Sequence, residues 1–145
     1  MPSTAPPSPV VSVVAAALVD EGGAVLIAER PPGKPLAGRW EFPGGKIAPG
    51  ESDLQALTRE LREELGIELA RDAAQPEHVV TLRHDYADRC VELRCYLVAA
   101  FRGDVQALEG QGLRWVAPSA LGEADILEAD RPFIEALQRR LAASG

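Results

Sequence analysis

An excess of positive charge is the first thing this chain lacks. Lys and Arg number 15 against 22 Asp and Glu, a net charge of −7, which disfavours a general binder of polynucleotides, since such a partner is held by a basic surface. A long apolar run at the N-terminus is missing too. Residues 1–9 are rich in Pro and Ser, with no basic stretch leading into a hydrophobic one, so they read neither as a secretory signal nor as a membrane anchor. They are expected to form a disordered tail ahead of one domain over residues 10–145. Cysteine is limited to Cys90 and Cys95, at an odd separation within an apparent strand, which turns the side chains to opposite faces and prevents a bridge there. Reduced thiols in a cytoplasmic protein are the simplest reading. The only histidines, His78 and His84, lie six apart and match no helical metal pair, so they read as surface or strand residues. The only lysines are Lys34 and Lys46.

What remains suits one compact domain: 145 residues of which 46% are hydrophobic and 26% charged, without an internal repeat or linker. Residues 10–19 and 24–28 are β-rich and separated by Gly22-Gly23, which predicts a strand pair. Residues 31–38 form a turn-rich loop, and 40–43 lead into a Gly44-Gly45 break through which no helix can pass. At Ser52 the period changes. Leu54, Leu57, Leu61 and Leu65 recur by three and four, predicting an amphipathic helix over 52–65, with Ser52 and Gln55 as a capping box and Gly66 as the stop.

A polar connection over 68–77 follows. Residues 79–86 and 91–101 then read as an antiparallel hairpin joined by Ala87-Asp88-Arg89, and 113–116 as a short strand. A last helix is expected over 131–141, with Asp130 as N-cap, Pro132 in the first turn, and Ile134, Leu137 and Leu141 on one side. Strands and helices that do not alternate regularly predict an α/β fold with a mixed sheet and helices packed on it.

The chemistry concentrates in the 52–65 helix and the loop before it. At about 100° per residue, Glu60, Glu63 and Glu64 share one arc beside the leucine stripe, with Arg59 and Arg62 expected on the far side. Like charges at these spacings cost roughly 0.2–0.5 kcal/mol per pair, and a divalent cation would reverse that sign. A solvated acidic face is the plain alternative. Oxygen-only ligands suit a hard ion, Mg²⁺ or Mn²⁺, and such an ion lets an acidic protein hold a polyphosphate. Residues 51–68 carry six acids against Arg59 and Arg62, a charge of −4, which leaves −3 for the rest of the chain. More than half of the acidity is therefore local to this stretch.

Gly45, five residues, Glu51, seven residues, then Arg59-Glu60-Leu61-Arg62-Glu63-Glu64-Leu65-Gly66-Ile67 fill every fixed position of the Nudix box, G-x5-E-x7-R-E-U-x-E-E-x-G-U with U aliphatic. The chain thus resembles the Nudix hydrolases. Trp40-Glu41-Phe42-Pro43-Gly44-Gly45-Lys46-Ile47 extends the resemblance to their MutT-like branch, over roughly residues 11–141. The resemblance implies an α/β/α sandwich and metal-dependent attack of water on a diphosphate linkage, releasing a nucleoside monophosphate and pyrophosphate. It implies that Glu60, Glu63 and Glu64, with the Gly44 carbonyl, hold Mg²⁺ or Mn²⁺, that Arg59 and Glu51 brace the loop and helix, and that Glu109 is a further catalytic glutamate, as general base or metal ligand. Arg30 and Lys46 would contact the phosphates. The partner is then a nucleoside triphosphate, with no polynucleotide and no membrane, and the active unit a monomer or homodimer.

Phe42, Tyr86, Asp88, Arg89 and Asp130 correspond to positions around the base in that branch, although Phe42 and Tyr86 also suit a core and Asp88-Arg89 a hairpin turn. Asp130 departs from an Asn common in enzymes acting on 8-oxo-dGTP. An Asn amide donates to O6 and accepts from the N7 hydrogen of oxidised guanine, whereas an ionised Asp only accepts, which suits an amine such as cytosine N4. Hydrolysis of 8-oxo-dGTP in nucleotide-pool sanitation is the leading expectation and hydrolysis of CTP or dCTP its alternative. A catalytically inactive nucleotide-binding module is the alternative of another class, which loss of box carboxylates would favour, and none is lost. No additional motif points to ADP-ribose or dinucleoside polyphosphates.

Overall fold

The leucine spacing forms helix α1 (Asp53–Leu65) in the computed structural model of the chain, which describes residues 9–144. Both halves of the capping box are present: the Gln55 amide donates to Ser52 Oγ at 3.1 Å and the Ser52 amide donates to Gln55 Oε1 at 2.8 Å. Gly66 closes the helix at φ +69°, a left-handed conformation that glycine adopts without penalty. Leu57, Leu61 and Leu65 are fully buried, with Ala56 beside them.

The first strands differ from the expected pair. Strand β1 (Val10–Leu18) and strand β2 (Val25–Glu29) are joined through Gly22-Gly23, but beyond a single bridge from Val19 to Val25 they diverge into separate sheets. Each finds longer partners elsewhere: β1 runs parallel to β7 (Cys90–Val98) along its full length, and β2 pairs with β9 (Leu113–Val116) and β3 (Trp40–Glu41). The four-stranded sheet has the order β4-β1-β7-β6, where β4 is Gly44–Lys46 and β6 is Glu77–Asp85. The β6–β7 hairpin matches expectation, with a register irregularity between His78 and Val80. Its second run ends earlier than the sequence suggested. Phe101–Arg102 breaks away as β8 and pairs with β5 (Glu68–Leu69), inside the stretch expected to be a polar connection.

Helix α2 (Arg131–Ser144) closes the chain. Val14, Ala16, Leu18 and Leu26 pack against α1 on one side of the strands, while Ala15, Ala17, Val25 and Ile27 pack with Phe133, Ile134 and Leu137 of α2 on the other. The alternation along β1 and β2 is what sends successive residues to opposite helices, and the resulting layers are the α/β/α sandwich. Cys90 and Cys95 are free and buried. No helix among the described residues is long and apolar enough to cross a membrane. Of the expected tail, residues 1–8 lie outside the described residues, and Pro9 is tied to the sheet: its carbonyl accepts from the Cys90 amide at 2.8 Å.

Candidate active site

Strand β4 and helix α1 meet through a glycine pair. Gly44 sits at φ +153° with the position of a Cβ only 1.9 Å from the Val14 carbonyl oxygen, and a Cβ on Gly45 would lie 2.5 Å from the Glu60 carboxylate. The loop thus passes against both β1 and the acidic face of α1. Glu64 Oε2 accepts from the Gly44 amide at 3.2 Å.

Arg59 stands among these acids and not, as the helical arc suggested, on the far side. It lies one turn before Glu63, so the two are surface neighbours on the helix. Its guanidinium donates to both Glu51 oxygens at 2.7 and 2.8 Å, to Glu60 at 2.8 Å, and to the Lys46 carbonyl at 3.0 Å, with Glu63 at 3.5 Å. It therefore ties the glycine loop to the helix, the bracing part the resemblance gave it with Glu51. The hydrogen bond from Arg59, with that from the Ala48 amide, pulls the Glu51 carboxyl down to about 2. Only Arg62 faces away, paired with Glu68 at 2.6 Å.

Glu64 is the least comfortable of the three box carboxylates. Burial, then the charges of Glu60 and Glu109, hold its carboxyl far above the ordinary range, against the opposing pull of the Gly44 amide. Glu109 therefore reaches the same site from its loop. That loop is fastened by Gln111, which the sequence did not single out: its buried side chain accepts from the Glu109 amide at 2.9 Å and donates to the Glu64 carbonyl at 3.0 Å. Among the described residues no three acidic, His or Cys side chains converge as a ready cage for a metal. Glu60 and Glu63 are drawn to Arg59 and Glu64 to the Gly44 amide. The donor set nevertheless fits a hard divalent cation: it is all oxygen, partly buried at Glu60 and Glu64, and short of positive charge at Glu64.

A cavity of about 380 Å³ runs from this acidic corner across the sheet. Val13 and Ala15 of β1 form its floor, Gly44, Lys46, Glu64 and Glu109 one side, and Leu82 and His84 of β6, with Tyr86 just beyond it, the other. Strand β6 is three strand spacings from β4 in the sheet, so the two sides stand about 14 Å apart. Arg30, Lys34, Phe42 and Asp130 complete the wall. Arg30 is held by Glu41 at 2.6 Å and by the Pro35 carbonyl at 2.6 Å.

Four expected base contacts fare differently from one another. Phe42 lines the cavity but is buried, its ring 4.6 Å from that of Phe133, so it serves the core as well. Tyr86 lines the cavity at an exposed rim, whereas Asp88 and Arg89 do not line it. The Arg89 guanidinium lies 4.7 Å from the Tyr86 ring centroid and is paired with Asp88 at 3.1 Å, so Arg89 adjoins the cavity through Tyr86 and Asp88 only through Arg89. The reason is position: they occupy the hairpin tip, beyond the last residue whose side chain points over the sheet. His84, expected as a surface or strand histidine, is a wall residue with its ring 4.6 Å from that of Tyr86. The alternation Leu82, His84, Tyr86 was the signal available for it. Lys34 is a further wall residue that the sequence did not place in the site.

Asp130 is 8% exposed, and its Oδ2 accepts from the Phe42 amide at 3.2 Å. The carboxylate is thus turned across to the β3–β4 connection, not engaged as the expected N-cap of α2. Burial raises its pKa from 3.8 to about 7, with Glu41 adding to the rise and the Phe42 amide and Arg30 opposing it. Asp130 accordingly takes up a proton on folding between those values, and stability falls as pH rises through that window. Asp130→Asn, which cannot ionise, is expected to stabilise the protein by on the order of 2–4 kcal/mol at pH 8 and by almost nothing at pH 4. Urea denaturation at the two pH values checks this, and an equal effect at both would contradict it.

A model of the NUDIX domain matches residues 14–136. A relative named CTP pyrophosphohydrolase, from Escherichia coli strain K12, is 42% identical over 130 residues, covering 90% of this chain and 93% of its own length. A Mycobacterium tuberculosis relative, named provisionally 8-oxo-dGTP diphosphatase 2, is 44% identical over 133 residues, covering 91% of each chain. A solved MutT structure, from work on the Aliivibrio salmonicida and Vibrio cholerae proteins, superposes with a TM-score of 0.75 at 31% identity, covering 90% of this chain and 98% of that one. With the box filled at every fixed position, and Glu64 alone of its carboxylates lining the cavity, the chain belongs to the Nudix family.

Proposed function

We propose that the protein is a nucleoside triphosphate pyrophosphohydrolase of the reduced cytoplasm, releasing a nucleoside monophosphate and pyrophosphate, with 8-oxo-dGTP as its principal substrate. The observation that carries this reading is the single cavity with carboxylates at one side, an apolar and aromatic wall at the other, and cationic side chains along it. That arrangement suits a ligand with a polyphosphate at one end and a base at the other. The name of the Mycobacterium tuberculosis relative supports it, while that of the Escherichia coli relative supports hydrolysis of CTP. Hydrolysis of CTP or dCTP is the second reading, favoured by Asp130 where an Asn would suit oxidised guanine.

Glu60, Glu63 and Glu64, with Glu109 and the Gly44 carbonyl, would hold Mg²⁺, for which Mn²⁺ can substitute. When bound, that cation neutralises phosphate oxygens and acidifies a water. Lys46 and Arg30 fix the phosphates, and Lys34 adds charge from the opposite loop. A carboxylate facing the cavity, Glu64 or Glu109, accepts the proton of the water that attacks phosphorus in line, and the P–O bond to the pyrophosphate leaving group breaks. Phe42 and Tyr86 flank the base, Arg89 and Asp88 steady Tyr86, and Asp130 meets the base edge.

Colorimetric pyrophosphate release across 8-oxo-dGTP, dCTP, CTP and ADP-ribose, with and without Mg²⁺, tests the reading. Release from 8-oxo-dGTP above the others, dependent on Mg²⁺, is expected. Preference for dCTP would promote the second reading, and release from none of the triphosphates would overturn both.

A further inference from the structure

We propose that Gln111 is a positioning residue for the reaction: its one side-chain amide ties the backbone of Glu109 to that of Glu64 and so sets the two carboxylates as a fixed pair at the acidic corner of the cavity. The inference rests on the reading of Glu64 and Glu109 as groups that hold the cation and take the proton, and it goes beyond that reading by naming what fixes one against the other. The two acids belong to different elements, Glu64 to the last turn of α1 and Glu109 to the loop over 103–112 that leads into β9.

The last carbonyls of a helix have no partner inside it, and in α1 this loop supplies their donors. The Gln106 amide reaches the Leu65 carbonyl at 2.9 Å and the Leu108 amide the Glu64 carbonyl at 3.2 Å. At the far end of the loop the Gly112 carbonyl accepts from the Glu29 amide of β2 at 2.8 Å. Between these anchors the chain turns at Gly110, φ +72°, whose amide donates to the Ala107 carbonyl at 3.2 Å. Residues 106–110 are exposed, so no core holds the tip that carries Glu109. Gln111 is the buried residue beside that tip, only 7% exposed. Its Oε1 accepts from the Glu109 amide at 2.9 Å, and its Nε2 donates to the Glu64 carbonyl at 3.0 Å.

Such a tie has work to do because the acids it joins repel each other. The charge of Glu109, after burial and the charge of Glu60, is among the causes that hold the Glu64 carboxyl up. An exposed tip held only at its ends can relieve that repulsion by carrying Glu109 outward, which parts the two carboxylates. The Gln111 amide opposes this from a buried position, where its hydrogen bonds are costly to leave unmade. Both of its functions are used, one as donor and one as acceptor, and only an amide offers the two on one planar group. A carboxylate in its place would turn a lone pair toward the Glu64 carbonyl, and an apolar side chain would leave both backbone groups without it.

Gln111→Met, of similar length with neither hydrogen-bonding group, is expected to lower kcat for pyrophosphate release from 8-oxo-dGTP by about 10–100-fold while KM stays within about twofold. Calorimetric titration of the full chain with Mg²⁺ alone should show binding weakened about tenfold. Gln111→Asn, one methylene too short to span the two backbones, should move both quantities the same way and serves if the Met variant does not fold. All are read well below the melting temperature of each variant. Introduced into Glu109→Gln, Gln111→Met should cost less than about twofold more in either quantity, because it acts through Glu109. A residue that merely stabilised the loop would cost as much in that background as in the natural one. Natural kcat and Mg²⁺ affinity in the folded variants, a raised KM at unchanged kcat, or an undiminished loss in the Glu109→Gln background would overturn the inference. If the natural protein hydrolyses none of the triphosphates, the nucleotide reading falls, and the Mg²⁺ titrations of the single and double variants still decide on Gln111. Neither hydrolysis nor Mg²⁺ binding by the natural protein would overturn both.

Discussion

Replacing Glu64 by Gln is expected to lower pyrophosphate release by about three orders of magnitude while yielding a protein that is more stable than the natural one in the absence of metal. The first half follows from charge. A divalent cation on the phosphates is worth several kcal/mol in the transition state, and each 1.36 kcal/mol is tenfold in rate, so losing about 4 kcal/mol of that effect gives about 10³. The second half follows from burial. Glu64 is held above the usual carboxylate range by desolvation and by the charges of Glu60 and Glu109, so its ionised form opposes folding once pH exceeds the ordinary carboxylate pKa of 4.5. Gln keeps an oxygen for the Gly44 amide and carries no charge. The natural protein should therefore gain melting temperature on adding Mg²⁺, because the cation relieves that repulsion, and the variant should start higher and gain little. Turnover near the natural rate in purified Glu64→Gln, or an undiminished Mg²⁺ shift in its melting temperature, would remove Glu64 from the metal site.

Much of this site is legible in the sequence because its parts are local. A helix whose apolar residues recur at three and four, with a capping box before it and glycine after it, forms wherever a core exists for Leu57, Leu61 and Leu65 to enter. Glu60, Glu63 and Glu64 then share a side of that helix by geometry alone. Non-local facts are less accessible. Nothing in residues 10–28 says that β1 prefers a parallel partner some eighty residues away over its neighbour β2, because that choice depends on the summed pairing along nine positions of β7. Gln111 looks like any loop amide until the fold brings the Glu64 carbonyl beside it. The electrostatic character of Asp130 was likewise out of reach: as an N-cap it would be half-solvated and ionised, whereas the fold buries it against the Phe42 amide and changes which hydrogen bonds it can make. Arg59 is the opposite case. Its place beside Glu63 follows from four-residue spacing, so the mistake lay in reading the arc and not in missing information.

Adjacent glycines at the mouth of the site offer the sharpest separation of fold from function. Gly44→Ala is expected to destabilise the protein by roughly 5 kcal/mol or more, and Gly45→Ala by only about 1 kcal/mol with a loss of turnover of at least about tenfold. At Gly44 the new Cβ would lie 1.9 Å from the Val14 carbonyl oxygen and 3.0 Å from the Ala15 Cα, at φ +153°. Those are backbone atoms of a strand paired with β4 on one side and β7 on the other, so neither partner can retreat without breaking ladder hydrogen bonds. At Gly45 the backbone is free to accept a side chain, and the obstacle is the Glu60 carboxylate at 2.5 Å. That carboxylate ends a flexible side chain and can swing away, carrying with it its hydrogen bond from Arg59. The fold survives and the proposed metal-binding face does not. Urea midpoints and pyrophosphate release measured on both variants separate the two effects. A Gly44→Ala protein with the natural midpoint would contradict the close contact between β1 and β4, and a Gly45→Ala protein with full activity would contradict the placing of Glu60 in the site.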